Sequence, residues 1–256
     1  MADREARIGE ERGDFWVLAL NTSTDALSAG VVPIPSGEIA KGRAPGERAA
    51  VEILMEPPAG RSGHSERLMP LIDAAVRMAG MTPADLDGVA VVAGPGGFTG
   101  VRTGLAVAKS IAQVLGIPVC GVDTLEVLAA GCAFSGLVAP LLDARRGDVF
   151  AALYRRHPDR MELVAGPRLE ALEVFLASLP AGESITFAGE GAQRHADTLA
   201  RHPLGLLPPP ESHVIRPSTI ARLAAPVLLG GGVDPLSLLP RYQRAPTMAP
   251  DWVASQ

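Results

Sequence analysis

Aromatic side chains are nearly absent from this chain, 4% of its 256 residues, so any core must be built from Val, Leu, Ile and Ala. Cysteine is scarcer still. Cys120 and Cys132 are the only two; their spacing fits no zinc motif, and a disulfide framework needs more of them. Both sit in apolar stretches and read as reduced core residues of a cytosolic protein. Positive charge is in deficit, with a formal net charge of -5. Independent affinity for a phosphate backbone needs clustered Lys and Arg, so a role near nucleic acid would be shared with a more basic partner. No apolar run approaches the ~20 residues that span a bilayer; "ARLAAPVLLGGGV" is shorter and carries Arg222 and Pro226. The opening "MADREARIGEERGD" mixes charges with no apolar stretch. It does not read as a secretory signal and predicts a disordered charged lead over 1–13.

With 47% hydrophobic residues the chain can still bury a sizeable core, as one large domain or two modest ones. "FWVLALNTS" is a continuous apolar run closing in small polar residues, the pattern of a buried strand. "ALSAGVVPI" predicts a second strand directly after it and "ERAAVEILME" a third, with the Pro- and Gly-rich "IPSGEIAKGRAPG" as a surface loop. "HSERLMPLIDAAVRMAGM" carries Leu68, Leu71, Ile72, Ala75, Val76 and Ala79 at helical spacing. Ser65 reads as its N-cap, Gly80 as its C′ residue, and Pro70 as tolerable because it falls near the first turn. Met69, Asp73 and Met78 lie off that stripe, which suits either a partner surface or plain packing. A buried strand "LDGVAVVAG" and a glycine turn follow. The next helix runs from a Thr99 cap to Leu115 and is stopped by Gly116 and Pro118, and "PVCGVDTLEVLAAG" reads as a strand and short helix.

Beyond Gly136 the order begins again. "LVAPLLDARRGDVFAALY" reads as two strands around a polar turn at 144–148, and "MELVAGPRL" as a third. "LEALEVFLASL" reads as a helix, "SITFAGEGA" as a strand and "AQRHADTLARH" as a helix, with "LPPPE" as a rigid linker. "PSTIARLAAPVLLGG", capped at Ser218, predicts a last helix over 218–230 that packs back on the first half, followed by a tail over 241–256. Strand–strand–strand–helix–strand–helix, twice, is a structural duplication without obvious sequence identity. It predicts an α/β protein of actin-like or sugar-kinase-like architecture. Two similar subdomains, 14–128 and 136–240, each carry a mixed sheet and flanking helices. A Rossmann domain would alternate strand and helix from the start.

The turn "GPGGFTG" resembles a phosphate loop but matches none. A Walker loop needs G-x-x-x-x-G-K-[ST], and no lysine follows Gly100. A dinucleotide fingerprint needs G-x-G-x-x-G, and Thr99 stands at its last glycine. The turn reads first as a tight strand-to-helix reversal. Weak anion binding at Gly96, Gly97 and Thr99 stays open, because a helix N-terminus attracts anions. The small residues Gly104, Ala106, Ala108, Ser110 and Ala112 let another helix approach closely. "LNTSTDALSAG" places Asn21 where a metal-linked nucleotide would call for an ionised carboxylate. "LLDARRGDVF" keeps Asp143 but follows it with two arginines. Catalytic constellations are thin: His64, His157, His195, His202 and His213 form no H-x-x-x-H pair, and no G-x-S-x-G elbow occurs. His64 beside Ser65 and Glu66 reads as a cap-region residue, since adjacent helix positions do not face each other. The glycines at 230–232 read as a helix C-terminal cap.

Taken together, "ALNTSTDALSAGVV", the run from "GHSERLMPLIDAAVRMAGM" through "GPGGFTGVRTGLAVAKSIAQVLGIPVCGVDTLEVLA", and "APLLDARRGDVFAALY" resemble the bacterial TsaB (YeaZ) family. H-S-E-x-L-x-P followed by G-P-G-x-F-T-G-x-R carries the likeness, which covers Leu18 to Tyr154 and is weak beyond it. The resemblance implies an actin-like ATPase (ASKHA) fold. It also implies a part in making threonylcarbamoyladenosine, the modified base beside the anticodon of tRNAs reading ANN codons. Catalysis, ATP and metal would belong to a relative, TsaD. This chain would have no catalytic residue, cofactor or metal of its own. It would act in the cytoplasm as a scaffold for TsaD, together with the ATPase TsaE, meeting tRNA only through the complex and pairing with itself when TsaD is absent. The family more often has aspartate at the position of Asn21. Its heterodimer packs the two helices carried here by 65–79 and 99–115, so Met69, Asp73, Val76, Arg102, Ala106, Val107 and Ser110 are expected to form the TsaD-binding face. A small-molecule kinase of the same fold, binding magnesium-ATP tightly, and a metallopeptidase, holding zinc or iron, are the alternatives.

Overall fold

The computed structural model of the chain describes residues 14–35, 50–56, 64–157 and 160–241. The charged lead, the loop beyond Pro35, the side chains of His64 and Ser65 and the tail beyond Arg241 lie outside the described residues. The first sheet has the order β3-β2-β1-β4-β5, with β1 (Asp14–Asn21), β2 (Leu27–Pro35), β3 (Val51–Met55), β4 (Gly88–Val92) and β5 (Val119–Val122). The second has the order β10-β9-β6-β7-β8, with β6 (Gly136–Asp143), β7 (Asp148–Arg156), β8 (Met161–Ala171), β9 (Ile185–Ala188) and β10 (Gly205–Leu206). In both, three successive strands pair antiparallel, and two later strands join parallel on the other side of the first. The duplication expected from element order is therefore a duplication of connectivity, and the fold is actin-like. The helices are α1 (His64–Met78), α2 (Phe98–Leu115), α3 (Thr124–Gly131), α4 (Leu172–Ala177), α5 (Glu190–Arg194), α6 (Ala196–Leu199) and α7 (Pro217–Leu229).

The central strands read as unbroken apolar runs because helices cover both their faces. Along β1, Trp16, Leu18 and Leu20 join the cluster made with α1 and α2, while Phe15, Val17 and Ala19 join one made with α3 and α7. The period of two is that of a strand. β6 repeats it: Val138 and Leu142 face the α3 side, whereas Leu137, Ala139 and Leu141 pack with Leu172, Phe175, Ala192 and Leu199. Helices α3 and α7 thus lie between the two sheets, and α1 with α2 forms the outer layer on the first. Helix α7 contacts β1, β2, β4 and β5. A Cβ on Gly30 would sit 2.6 Å from Pro217 Cβ, so only glycine there admits the helix so close to the sheet.

Several local expectations give way to backbone geometry. The N-cap of α2 is Gly97, which puts Thr99 in the first turn, and α7 starts at Pro217 from Arg216, so Ser218 is inside it. The Ser218 amide instead donates to Glu52 Oε1 at 2.5 Å. Pro70 lies in the second turn of α1, where it removes one backbone donor from an exposed side. The helix expected around Leu169–Leu179 shrinks to α4 because β8 continues to Ala171. "AQRHADTLARH" breaks into α5 and α6 at His195. "LPPPE" is no linker: Pro210–His213 forms a 3-10 turn, with His213 buried and hydrogen-bonded to Pro208 O and Gly189 O. Gly80, with φ +65, and Gly116, left-handed, close α1 and α2 as their positions predict.

The glycine turn is seated on the end of β1. Gly97 N–H donates to Ser23 O at 2.8 Å, Thr22 Oγ1 donates to Gly100 O at 2.7 Å, and Thr124 N–H donates to Gly94 O at 3.0 Å. Side chains are excluded at two points: a Cβ on Gly96 would overlap Ser23 O, and one on Gly104 would overlap Thr22 Oγ1. Gly104→Ala should therefore lower the unfolding free energy by about 2 kcal/mol, an overpacking cost that exceeds the ~1 kcal/mol gain in helix propensity. In a Thr22→Ala background the same change should become neutral or stabilising. Urea unfolding of the four proteins of this cycle measures both.

Candidate functional site

Among the described residues, two places bear on the expected chemistry and partner surface. The first is the crevice between the sheets, where the β1–β2 turn faces the β6–β7 turn and α5. Asn21, 1% exposed, fills the first turn with its own side chain. Its Nδ2 donates to Thr24 Oγ1 at 2.9 Å and Ala26 O at 3.0 Å, and its Oδ1 accepts from Ser23 N at 3.0 Å and Ser23 Oγ at 2.8 Å. An amide can make all four bonds; a carboxylate can make only the accepting pair.

Across the crevice, Arg194 pairs with Asp143 and lies 3.9 Å from Asp25 Oδ2, while Asp25 N–H donates to Glu190 Oε2 at 3.1 Å. The two turns are thus joined through α5. Gly189 and Gly191 hold that helix against β6, since a Cβ on either would come within 3 Å of Leu141. Burial raises the Glu190 pKa, and the Asp25 and Asp143 carboxylates add to the rise; the Asp25 amide and Arg194 oppose it. Deeper in, Asp123 caps α3, accepting from Leu125 N at 2.8 Å and Glu126 N at 3.2 Å, with Arg241 3.8 Å away. Burial raises the pKa values of Asp123, Glu126, Cys120 and Tyr154 around it. Cys132 is pushed up to about 11 by burial, which keeps it an unreactive thiol; both cysteines are free and buried. Among the described residues no three His, Cys, Asp or Glu side chains gather to hold a metal ion.

Of the residues considered for an anion, Gly97 already spends its amide on Ser23, and Thr99 is exposed beyond the seated part of the turn. Sequence reasoning missed Asp25, Glu190, Arg194 and Arg241. Their partners stand far off along the chain, 165 positions for Asp25 and Glu190, and no local pattern announces them.

The second place is the outer face of α1 and α2. The small residues of α2 divide: Gly104, Ala108 and Ala112 are buried in the chain's own core, whereas Ala106 and Ser110 face outward. Ser110 Oγ donates to Ala106 O and Thr103 Oγ1 to Thr99 O, both at 2.9 Å. Those hydroxyls are spent on the helix backbone, so they present mostly hydrocarbon outward. Arg102 stacks 3.7 Å from the Phe98 ring centroid, and Val107 is half-buried against the core. On α1, Met69 is 52% exposed, and Asp73 is exposed and paired with Arg77 at 3.0 Å. Val76 is 4% exposed within the core. It therefore cannot form part of an accessible face, because its helical position turns it into the cluster between α1 and the first sheet.

A family model described as "TsaD: tRNA N6-adenosine threonylcarbamoyltransferase" matches residues 55–205. The chain is 34% identical over 202 residues, 77% of itself and 86% of the relative, to the tRNA threonylcarbamoyladenosine biosynthesis protein TsaB of Bacillus subtilis. It belongs to the TsaB family. Two solved structures from Pseudomonas aeruginosa share the architecture. One, described as an uncharacterized protein with similarity to peptidase YeaZ, has a TM-score of 0.71 at 27% identity, over 90% of this chain and 100% of that one. The other, YeaZ, has a TM-score of 0.71 at 25% identity, over 89% and 99%. The TsaB-family resemblance seen in the sequence is thus established over most of the chain, beyond the Leu18–Tyr154 stretch that first carried it.

Two results are expected in the crevice. Asn21→Asp should cost about 2–3 kcal/mol, the penalty for leaving buried groups mismatched, in urea unfolding at pH 7. The deficit should narrow in acid as the new carboxyl regains a proton to donate. For Glu190 the folded pKa lies above the unfolded one, so the ionised form weakens the fold and stability falls as pH rises through that interval. Glu190→Gln keeps an acceptor for Asp25 N–H and should raise Tm at pH 7, with no gain below the ordinary glutamate range.

Proposed function

We propose that this chain serves the synthesis of threonylcarbamoyladenosine in tRNA as a non-catalytic partner of TsaD, docking through the outer face of α1 and α2. The observation that carries the reading is that face itself. Met69, Ala106 and Ser110 stand outward on two adjacent helices, with Val114 at 83% exposure extending the same helix and the hydroxyls turned back to backbone. A surface of small and thioether side chains with few free hydrogen-bonding groups suits close packing by helices of a partner. Membership of the TsaB family supports the pathway, and the saturated turn at Asn21 agrees with a chain that leaves nucleotide and metal to its partner.

In this reading TsaD and TsaE supply the chemistry in the cytoplasm. The chain holds TsaD in its working form, and the same face pairs two copies of the chain when TsaD is absent. Val76 supports the face from beneath by anchoring α1 to the sheet. No helix among the described residues is long and apolar enough to cross a membrane.

Ala106→Arg tests the docking. Placing a long charged side chain in the middle of the face should weaken association with the cognate TsaD by about 30-fold or more, as expected for a change worth about 2 kcal/mol at an interface centre. Tm of the isolated variant should stay that of the wild type. A complex retained at wild-type affinity in size-exclusion chromatography would show that the face lies elsewhere. Tight magnesium-ATP binding by the isolated chain in calorimetry would favour the kinase reading.

A further inference from the structure

The β6–β7 turn holds a conformation that its sequence does not favour. Arg145 has φ +66, Arg146 +59 and Gly147 +86, three left-handed residues in a row. Asp148 N–H donates to Arg145 O at 3.1 Å, and positive φ at both Arg146 and Gly147 makes this a type I′ turn. Asn-Gly is the sequence such a turn prefers; a side chain like arginine is disfavoured with left-handed backbone. Here two consecutive arginines occupy it.

Among the described residues no hydrogen bond or ion pair uses their side chains. The turn is held by backbone and by one carboxylate: Ala144 N–H donates to Asp148 O at 2.9 Å, Leu172 N–H to Gly147 O at 3.3 Å, and Arg145 N–H to Asp143 Oδ1 at 3.0 Å. The other oxygen of Asp143 is held by Arg194. Arg145 and Arg146 are themselves exposed, and neither guanidinium has an acidic partner among the described residues. The result is a rooted hairpin tip displaying two guanidinium groups that have no acidic partner among the described residues.

We propose that the Arg145–Arg146 tip grips the phosphate backbone of tRNA once the chain is assembled with its catalytic partner, an inference that rests on the functional reading above. The guanidinium fork matches phosphate oxygens in pairs. An exposed tip has no walls to enclose a small ligand, which normally sits in a concave site, whereas a polyanion offers successive phosphates to neighbouring arginines. The net charge of -5 opposes binding by the isolated chain and makes the contact an auxiliary one, effective within the complex.

The test compares wild type, R145N/R146N and R145K/R146K, each assembled with the cognate TsaD and TsaE. The probe is a transcript of a tRNA reading an ANN codon, titrated at several salt concentrations. Asparagine tolerates left-handed backbone, so R145N/R146N should co-purify with TsaD and melt at or above the wild-type Tm. It should bind tRNA about 10-fold or more weakly, and its log–log salt slope should be shallower by roughly 1–2, as for two lost phosphate contacts. R145K/R146K keeps both charges and should preserve the slope while losing part of the affinity. Unchanged tRNA affinity and slope in R145N/R146N would overturn the proposal. So would weaker binding accompanied by a lower Tm or lost co-purification, which would assign the arginines a structural role. ATP that displaces tRNA from the wild-type assembly but not from R145N/R146N would also overturn it, as the mark of a mononucleotide site at the tip. A wild-type chain that fails to associate with TsaD would fell the functional reading, and this proposal with it, before tRNA is added.

Discussion

The seat of the glycine turn on the end of β1 fixes how α2 lies on the first sheet. Thr22 and Ser23 offer one hydroxyl and one carbonyl to α2 and its approach, and in return Gly96 and Gly104 leave no room for a side chain between them. That contact sets the height of α2 above the sheet. With α2 seated, Leu105, Ala108 and Ala112 enter the core beside Leu68, Ile72 and Val76 of α1, and the opposite sides of both helices are left to solvent. The outer face of α1 and α2 is the back of a tightly packed layer whose seating depends on glycine.

The crevice between the sheets is shaped by the same economy of polar groups. In a fold of this connectivity the two first turns of the halves face each other. One is filled by the four bonds of Asn21. The other is tethered by Asp143 and Arg194, which also approaches Asp25. Arg194 offsets part of the carboxylate charge gathered here, and burial raises the proton affinity of Glu190. Arg241 does similar service beside Asp123, and its amide donates to Ala93 O at 2.8 Å, so the end of the described chain closes over the strand that leads to the glycine turn.

Most of the architecture was legible because the strands here are covered on both sides. Apolar runs such as "FWVLALN" and "GVAVV" need no tertiary knowledge to be read as buried strands, and the repeated order of elements revealed a duplication that residue identities hide. Caps were less legible. Thr99 and Ser218 are favourable cap types, yet the chain turns at Gly97 and Arg216, because seating on Ser23 and pairing with Glu52 decide where each helix begins. The face of α1 shows the other limit: the periodicity set Val76 on the inward stripe and Met69 and Asp73 off it, as the structure has them, and only the family resemblance grouped all three on one face. Pairings such as Asp25 with Glu190 are set by the approach of two halves and leave no trace in local sequence.

Helix α7 belongs to the first sheet although it comes last. Its residues Ile220, Ala221, Ala224 and Leu228 complete the cluster begun by Phe15, Val17 and Ala19, and Ser28 Oγ reaches forward to Ile215 O at 2.9 Å. The second half is therefore an insertion within the first. A nascent chain emerging from the ribosome holds the opening strands with one side only partly covered until α7 has been made. The inserted half can settle earlier, since its sheet and outer helices are contiguous in sequence. Synthesis thus runs against the usual order in which the leading domain folds first, and a chain halted before Pro217 exposes a strip of aliphatic strand surface open to aggregation or to a chaperone.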